Sequence, residues 1–385
     1  MKKVIPLILV MLLAVAFLTG CGNDAPAQPG QTGQPAQTGQ AEQAGQPAQT
    51  GQAEQPAQTE SATRPEDMEL VIFGSAEEPM VAAVAQAFER ETGIRTMFLR
   101  LSTGEVYTRI REEGGNPSAD VWFGGTTDPF NQARLSGLLY SFVPENAANL
   151  RDPMLKDPDG YWHGIYVGYL GFIVNREELD RLGIPAPQDW EDLLDPMYRG
   201  LIAFANPGTS GTGRQLINTI TMLYDFDEER TMDYFRRLDE NIMIYPRSGA
   251  GPSRLVGPGE ITIAIGFLHD GITQINAGFD NLELIAPASG TSFEIGATAI
   301  FEGAQNLEAA KKFIEFALSP ASQEIGQTVG SYQFLTVVGA NDPEVAQQVA
   351  GARLIDYDWD WAAENTSRMV ELWFETISAD GRVEE

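Results

Sequence analysis

The chain has 385 residues, and its 54 acidic side chains outnumber its 25 basic ones, which gives a formal net charge of -29. Contacts to nucleic-acid phosphates or acidic membranes need clustered Lys and Arg, so this charge argues against nucleic acid as a partner. The 43% of hydrophobic residues can form a real core, while one cysteine and two histidines exclude a disulfide framework and a Cys/His-rich metal site. The length indicates two domains.

Residues 1–20 have the layout of an export signal. Two lysines precede an apolar run over residues 4–18, which is too short to predict a membrane span. The sequence LTGC at 18–21 is similar to a bacterial lipobox, in which the cysteine is acylated and becomes the new N-terminus. We therefore expect lipidation of Cys21, which would anchor the protein to a membrane face. An ordinary signal peptide with a cysteine nearby is the alternative.

The segment from Cys21 to residue 66 is predicted to be a disordered tether. It is rich in Gln, Ala, Pro, Gly and Thr, and the unit QPAQTGQAEQ occurs at 34–43 and again at 46–55. Such a segment lacks the apolar side chains whose burial would offset the entropy lost on ordering. Coil statistics give a mean reach of roughly 35–40 Å, which is enough to clear a lipid surface.

From residue 69 the chain alternates between strand-like and helix-like patterns. The patterns predict strands at 70–73, 94–101 and 119–123, and helices at 80–88 and 105–113. This rhythm indicates a parallel sheet with helices on its faces. Sheets of this kind bind ligands beyond the carboxyl ends of their strands, and here those ends, at 74–76 and 124–127, are small and polar.

A second block repeats the rhythm. The patterns predict strands at 165–175, 201–205, 242–245 and 261–267, a turn and helix at 185–195, helices at 214–223 and 231–241, and then a strand at 295–301 and a helix at 306–318. Two blocks of the same character predict two α/β lobes with a cleft between them.

Several segments share their order and spacing with a known family. They are GYLG at 168–171, the run 187–200, ANP at 205–207, SGT at 210–212, GFLHD at 266–270, FEIG at 293–296 and IDYD at 355–358. In these segments the chain resembles the periplasmic substrate-binding components of ABC importers, in the branch that binds ferric iron, phosphonates or hexose phosphates. The resemblance covers residues 68–376.

The resemblance implies a type II periplasmic-binding-protein fold, with two lobes that close on a ligand by a hinge. Each lobe would be a mostly parallel sheet flanked by helices, and two crossover strands would join them. Residues 67–165 and about 280–335 are assigned to lobe 1, about 166–279 and 336–378 to lobe 2, and 379–385 to a tail. The implied partners are an ABC permease and its ATPase, and the family expectation is a monomer.

Ferric-iron members of the branch resemble one another in two adjacent tyrosines just after the strand equivalent to 261–265. This chain has FLHD at 267–270 instead. Phenolate oxygens make a ferric site strong, so their absence disfavours iron. Tyr166 and Tyr169 could still supply phenols, and a ferric ion or ferric chelate therefore stays open as the alternative ligand.

His269, Asp270 and Glu294 are similar to the sugar-phosphate binders of the branch, where such groups accept from and donate to sugar hydroxyls. The alternative for the His-Asp pair is a helix cap at the rim of the cleft, and for Glu294 an exposed strand edge. A hydrolytic metal site is not expected, because His163 is the only further histidine.

Polar residues at strand ends predict an anion site. Ser75 and Thr126 each stand at a strand end before a helix, and Ser210, Gly211 and Thr212 open a predicted helix. The N-terminus of a helix carries unpaired N–H groups and a positive dipole end, which favour phosphate or carboxylate. Plain N-capping is the alternative for each of them.

Two further features of the sequence are candidates for ligand contacts: the first stays open, and the second is assigned to the core. Arg247 and Ser248 follow the strand that ends at 245, where an arginine fork could clamp phosphate, although a surface turn explains them equally well. The aromatic cluster at 357–361 is assigned to core packing rather than to a sugar platform.

The sequence therefore predicts a lipid-anchored solute-binding protein for a small anionic solute, preferably a phosphorylated sugar or a phosphonate. It would bind without a cofactor, a resident metal or turnover. An enzyme is disfavoured because no set of nucleophile, base and orienting residue is visible. A sensory or adhesive lipoprotein of the same fold is the remaining alternative.

Overall fold

The computed structural model describes residues 68–377 and 382–383, which belong to the compact unit Ser61–Glu385. The predicted export signal, Cys21 and the tether to residue 66 lie outside the described residues, as does most of the predicted tail.

The strands belong to one mixed sheet. They are β1 (Glu69–Gly74), β2 (Arg95–Arg100), β3 (Val121–Thr126), β4 (Leu139–Tyr140), β5 (His163–Asn175), β6 (Ile202–Phe204), β7 (Ile242–Ile244), β8 (Ile263–Phe267), β9 (Leu282–Ile285), β10 (Phe293–Phe301) and β11 (Phe334–Leu335).

Helices cover the sheet and connect its strands. They are α1 (Glu78–Thr92), α2 (Thr103–Glu113), α3 (Thr127–Leu135), α4 (Arg176–Leu182), α5 (Gly211–Leu223), α6 (Glu228–Asp239), α7 (Gly251–Val256), α8 (Leu268–Asn276), α9 (Leu307–Ala317), α10 (Pro320–Gln323), α11 (Ile325–Thr328) and α12 (Trp359–Thr376).

The strand order is β2-β1-β3-β10-β5-β8-β6-β7. Strands β1, β2 and β3 are parallel to one another, as are β6, β7 and β8, whereas β5 and β10 pair antiparallel with their neighbours. The start of β5 pairs with β10 and β11, and its end, from Leu170, pairs with β8 and β9. We call β1–β4, β10 and β11 the first half of the sheet and β6–β9 the second half; β5 runs through both.

Helix α1 shows how the sequence determines a local element. Met80, Val81, Val84, Ala85 and Phe88 are buried, and their spacing places them on one helical face. The helix ends where Gly93 adopts a φ of 74°, a left-handed conformation that glycine adopts without strain. The apolar spacing thus docks α1 on the sheet and places its N-terminus beside the end of β1.

The alternation predicted from the sequence is confirmed, with shifted ends and some additional elements. The strand predicted at 119–123 runs from Val121 to Thr126, and the predicted turn and helix at 185–195 contains a single 3₁₀ turn, Trp190–Leu194. The helix expected after Thr126 is α3, whereas α4 and α7 were not predicted and α8 was left open only as a helix cap at 269–270. Because α8 begins directly after β8, His269 and Asp270 lie in its first turn and not in a loop.

Each half of the sheet has its own apolar core. Phe88 packs against Phe313 and Phe316 in the first half, and Phe204 packs against Tyr245 and Trp373 in the second. Burial of side chains of this size contributes roughly 1.5–3 kcal/mol each. Two cores on either side of β5 hold the strand ends between them in fixed positions.

Candidate functional site

A cleft with a cavity volume of about 50 Å³ lies between the two halves, at the carboxyl ends of β1, β3 and β8. Residues from both halves form its walls. They are Ser75, Ala76, Glu77, Arg100, Ser102, Thr103, Gly125, Thr126, Tyr166, Ser210, Gly211, Thr212, Gly249, Ala250, Phe267, His269, Asp270, Glu294 and Gln333.

Helix N-termini from both halves open into this cleft, and we call the part of its wall that they form the anionic end. Ser102, Thr126 and Ser210 are the N-caps of α2, α3 and α5, and all three line the cleft. The Ser210 hydroxyl accepts a hydrogen bond from the Gly213 N–H at 3.4 Å, whereas the buried Thr126 Oγ1 has no hydrogen-bond partner among the described residues. This end of the cleft therefore presents N–H donors, positive dipole ends and an unpaired hydroxyl group.

Glycines allow the backbones of the two halves to approach closely here. Gly125 has a φ of 88°, and its N–H donates to the Tyr166 hydroxyl at 2.8 Å. A Cβ at Gly211 would overlap Thr126 Oγ1, which lies in the other half of the cleft. Side chains at these two positions would fill the space in which an anion could contact backbone N–H groups.

A second group of wall residues is buried and carries two carboxyl groups and an imidazole group. His269 Nε2 lies 3.5 Å from Asp270 Oδ1 and 3.7 Å from Glu294 Oε1. Burial lowers the pKa of His269 to about 3, and burial followed by the charge of Glu77 raises the pKa of Asp270 to about 8. Burial and then Asp270 raise the pKa of Glu294 well above its usual range. At neutral pH these groups are therefore largely uncharged and able to donate and accept hydrogen bonds.

Asp270 provides a test of this electrostatic description through stability. Its pKa is raised from 3.8 to about 8 in the folded protein, so its contribution to stability is present below pH 4 and is lost as the pH rises to about 8. Asp270→Asn removes this loss. We expect the free energy of unfolding of the variant, relative to wild type, to increase on the order of a few kcal/mol from pH 4 to pH 8. Urea unfolding of both proteins at both pH values measures this difference in the free energy of unfolding. The same difference at pH 4 and at pH 8 would contradict the raised pKa of Asp270.

Two arginines at the rim of the cleft are paired with acids. Arg254 Nη1 lies 2.9 Å from Glu77 Oε2, and Arg100 Nη2 lies 3.8 Å from Glu77 Oε1. Arg100 also donates to Ser102 Oγ at 3.0 Å. The Arg247 side chain, which the sequence offered as a phosphate clamp, forms an ion pair with Glu105 at 2.5 Å and is absent from the walls of the cleft.

Contacts between the halves show that the cleft is closed in this structure. The Gly104 N–H in α2 donates to the Thr209 carbonyl at 3.0 Å. The ion pairs Arg254–Glu77 and Arg247–Glu105 also join the second half to the first. These contacts cross the cleft at its rim and would break if the halves moved apart.

The structure brings together all but one of the ligand-binding residues predicted from the sequence. Ser248 lies outside the walls of the cleft, next to Gly249, and its hydroxyl accepts a hydrogen bond from Arg254 at 2.6 Å. The predicted residues that line the cleft are Ser75, Thr126, Ser210, Gly211, Thr212, His269, Asp270 and Glu294.

The structure also shows the surroundings of the tyrosines and of Ser75, which the sequence singled out. Tyr166 lines it, whereas Tyr169 packs against Phe334 outside its walls. Ser75 Oγ accepts a hydrogen bond from Trp122 Nε1 at 2.9 Å instead of capping α1, whose N-cap is Glu77.

Sequence reasoning missed several wall residues. Thr103 was detectable, because the pattern Ser-x-x-Glu at 102–105 marks a helix start directly after a strand. Arg100, Phe267 and Gln333 carry no comparable signal. Within residues 68–377 and 382–383, no cluster of three or more His, Cys, Asp or Glu side chains is arranged to hold a metal ion.

Comparison with known proteins agrees with this geometry. The family model for bacterial extracellular solute-binding proteins matches residues 116–365. An uncharacterized protein of Haemophilus influenzae (strain Rd) is 36% identical over 316 residues, which cover 80% of this chain and 90% of that protein.

Solved structures show the same similarity. The periplasmic binding protein AfuA from Actinobacillus pleuropneumoniae, with exogenous fructose-6-phosphate bound, is 38% identical with a TM-score of 0.77 over 80% of this chain and 98% of that chain. A ferric binding protein from Campylobacter jejuni is 20% identical with a TM-score of 0.68 over 80% and 99%, a likeness that shows the fold alone.

The fold and the closed cleft between two α/β halves are those of a type II periplasmic binding protein, as predicted. The chain belongs to the family of bacterial extracellular solute-binding proteins, the binding components of ABC importers. Members of this family are transport components and not enzymes, which confirms that prediction. Among the described residues, no helix is long and apolar enough to span a membrane.

Proposed function

We propose that this protein captures a small anionic solute, preferably a phosphorylated sugar, and delivers it to an ABC permease. The observation that carries this proposal is that one closed cleft combines two kinds of wall residue. The N-termini of α2, α3 and α5, with the unpaired Thr126 hydroxyl, suit a phosphate group. The buried side chains of His269, Asp270 and Glu294 suit hydroxyl groups.

The electrostatics favour one orientation of the solute. A phosphate group beside Asp270 and Glu294 would increase the cost of any negative charge there, whereas the helix N-termini attract it. A sugar hydroxyl can both donate and accept, which matches uncharged carboxyl and imidazole groups. The similarity to AfuA, whose solved structure holds fructose-6-phosphate, supports this class of solute; a phosphonate would use only the anionic end.

Ferric iron or a ferric chelate is the alternative, and the geometry supports it less. Among the described residues, Tyr166 is the one tyrosine in the walls of the cleft, and the pKa of its buried hydroxyl is raised well above 10. Iron binding by phenolate oxygen requires the opposite shift. The segment FLHD at 267–270 stands where the ferric binders have their adjacent tyrosines.

Binding would be coupled to closure of two lobes. We propose that lobe 1 comprises residues 67–165 and about 280–335, and lobe 2 comprises about 166–279 and 336–378. The pairing of β10 with β3 supports the assignment of its segment to lobe 1. Strand β9 (Leu282–Ile285) instead pairs with the end of β5 in the second half, so the boundary placed near 280 would lie after β9. Ligand contacts to both lobes would stabilise the closed state that the permease recognises.

The protein would act as a monomer held at a membrane face by a lipid on Cys21. The tether to residue 66 would separate the binding unit from the bilayer by roughly 35–40 Å. These features rest on the sequence alone, since residues 1–67 lie outside the described part of the chain.

A thermal-shift screen tests the proposed solute class. The full chain with Cys21→Ser would be screened against hexose 6-phosphates, glycerol phosphate, 2-aminoethylphosphonate, inorganic phosphate, and ferric iron with and without citrate. A solute at 100 times its Kd adds about 2.7 kcal/mol to the free energy of unfolding, which gives a clear rise in Tm. We expect hexose phosphates to give the largest rise. Stabilisation by iron alone, with a visible tyrosinate band, would refute the proposal.

A further inference from the structure

A buried carboxyl group lies behind the cleft, in the first turn of α3. Asp128 is fully buried, and its Oδ2 accepts hydrogen bonds from Asn218 Nδ2 in α5 at 2.9 Å and from the Tyr357 hydroxyl at 2.7 Å. Asn218 Nδ2 also lies 2.9 Å from Thr366 Oγ1 in α12. Asp128 Oδ1, by contrast, is buried without a hydrogen-bond partner among the described residues. We call Asp128, Asn218, Tyr357 and Thr366 the α3 node.

The node joins the two halves of the protein. Asp128 follows β3 of the first half, and Asn218 follows β6 of the second, so their hydrogen bond connects α3 to α5. One turn further along α3, Gln132 Oε1 accepts from Arg214 Nη1 of α5 at 3.4 Å. Any movement of one half against the other must therefore preserve or rearrange these buried contacts, and a buried polar group that loses its partner costs about 1–3 kcal/mol.

The node is directly connected to the anionic end of the cleft. Thr126, the N-cap of α3, lines the cleft, and Asp128 comes two residues later in the same first turn. An acidic side chain at this position interacts favourably with the positive end of the helix dipole. For the same reason it weakens the attraction of that helix end for a second negative charge in the cleft.

We propose that Asp128 is a positioning residue, and this inference rests on the anion-binding function proposed above. Its carboxyl group fixes α3 against α5 and Tyr357, and thereby sets the position and the anion affinity of the α3 N-terminus. Asp128 acts on the solute through the helix and does not touch it.

The charge of Asp128 provides a readout that a merely structural role would not change. Burial raises its pKa to about 6, whereas the hydrogen bonds from Tyr357 and Asn218 and the charge of Arg214 lower it. As the pH falls through this value, the α3 N-terminus loses a neighbouring negative charge and attracts an anion more strongly. The titratable and charged groups that interact with the node are Arg214 of α5, Tyr357 and Asp358 before α12 and, through Arg214, Tyr107 and Arg111 of α2. The elements packed against α3 further carry Glu105, Arg109, Glu112 and Glu113 in α2, Asp360, Glu364, Arg368, Glu371 and Glu375 in α12, Glu294 in β10 and Tyr140 in β4.

The test compares the pH dependence of Kd for glucose 6-phosphate in wild type and Asp128→Asn, both as the full chain with Cys21→Ser. Asparagine keeps the shape and an acceptor oxygen but carries no charge. We expect the ratio of the two Kd values to change at least about threefold between pH 7.5 and pH 5.5, with wild type gaining affinity. Titration of the phosphate group and of Asp270 and Glu294 is common to both proteins and cancels in the ratio.

Tyr357→Phe is the second variant, and it keeps the ring while removing one donor. Because the Tyr357 hydrogen bond lowers the pKa of Asp128, its loss should move the midpoint of the Kd profile to higher pH. A midpoint at higher pH would support the positioning role of Asp128, and an unchanged midpoint would contradict it, even if Asp128→Asn failed to fold.

Asp120→Asn is the matched control. Asp120 is buried as well, but it accepts from the Val71 N–H at 2.9 Å and from the Asn306 N–H at 2.8 Å, away from the cleft. Neutralising it should leave the Kd profile parallel to that of wild type. The inference is overturned if Asp128→Asn and Tyr357→Phe also give profiles parallel to wild type.

Failure of the proposed function gives a different result. If neither glucose 6-phosphate nor inorganic phosphate binds wild type, the anion-binding function is wrong, and the distance between spin labels at Glu112→Cys and Met197→Cys decides the inference. A distance that changes with pH in wild type and not in Asp128→Asn supports the positioning role. A distance that does not depend on pH in either protein excludes it.

Discussion

Replacing Gly104 with alanine is expected to weaken solute capture at least about tenfold while leaving the fold intact. The Gly104 N–H in α2 donates to the Thr209 carbonyl of the other half at 3.0 Å. A Cβ at this position would lie 2.7 Å from that carbonyl oxygen, which is backbone and cannot swing away. The halves would have to separate, so the closed state would lose free energy.

The same change should not harm α2 itself. Alanine in a helix is more favourable than glycine by up to about 1 kcal/mol, so the free energy of unfolding should hold or rise while affinity falls. Isothermal titration with glucose 6-phosphate and urea unfolding measure the two quantities. Gly351→Ala is the matched control, because its Cβ would meet nothing within 4 Å. Full affinity in Gly104→Ala would show that the contact at Thr209 does not belong to the solute-bound state.

Replacing His269 with alanine is expected to weaken binding of a phosphorylated sugar about 10- to 100-fold. The imidazole group lies between Asp270 and Glu294 and stacks on Phe267, with ring centroids 5.6 Å apart. Its removal leaves these buried carboxyl groups without this polar neighbour and, on the proposed function, removes a partner for sugar hydroxyls. On the proposed function inorganic phosphate would contact only the helix N-termini, so it should lose little affinity.

His163→Ala is the control for loss of a buried imidazole group. His163 is buried in β5 but lies outside the walls of the cleft, so its removal should affect stability and leave the ratio of the two affinities unchanged. Equal losses of sugar phosphate and inorganic phosphate in His269→Ala would mean that His269 does not recognise the sugar.

The part of the site that follows from local sequence was predictable. In a parallel sheet, a strand end followed by a helix places its polar residues at the ligand-binding edge, and this rule located Ser75, Thr126 and Ser210. Hydrophobic periodicity likewise located β1, β3 and α1 to within a few residues.

The remainder depends on contacts between distant segments. Whether Arg100, Arg247 or Arg254 faces the cleft is decided by how the two halves meet. The sequence drew attention only to Arg247 and left a surface turn open, and Arg247 is paired with Glu105. Tyr166 and Tyr169 are three positions apart in β5 and therefore lie on opposite faces of the strand, but which face borders the cleft is decided by how the two halves assemble. No local pattern marks Asp128, whose partners are 90 and 229 positions away.

The helix N-termini in the cleft have a consequence for kinetics, because the chain as a whole carries a net charge of -29. The attraction of a helix end fades within about one turn, whereas the net charge repels an approaching anion over roughly a Debye length, about 8 Å at physiological ionic strength. The rate at which the solute encounters the protein therefore depends on the net charge, whereas its residence time in the cleft depends on the helix N-termini. Added salt should speed the arrival of the solute, contrary to ordinary electrostatic steering, and leave its dwell time in the closed cleft nearly unchanged.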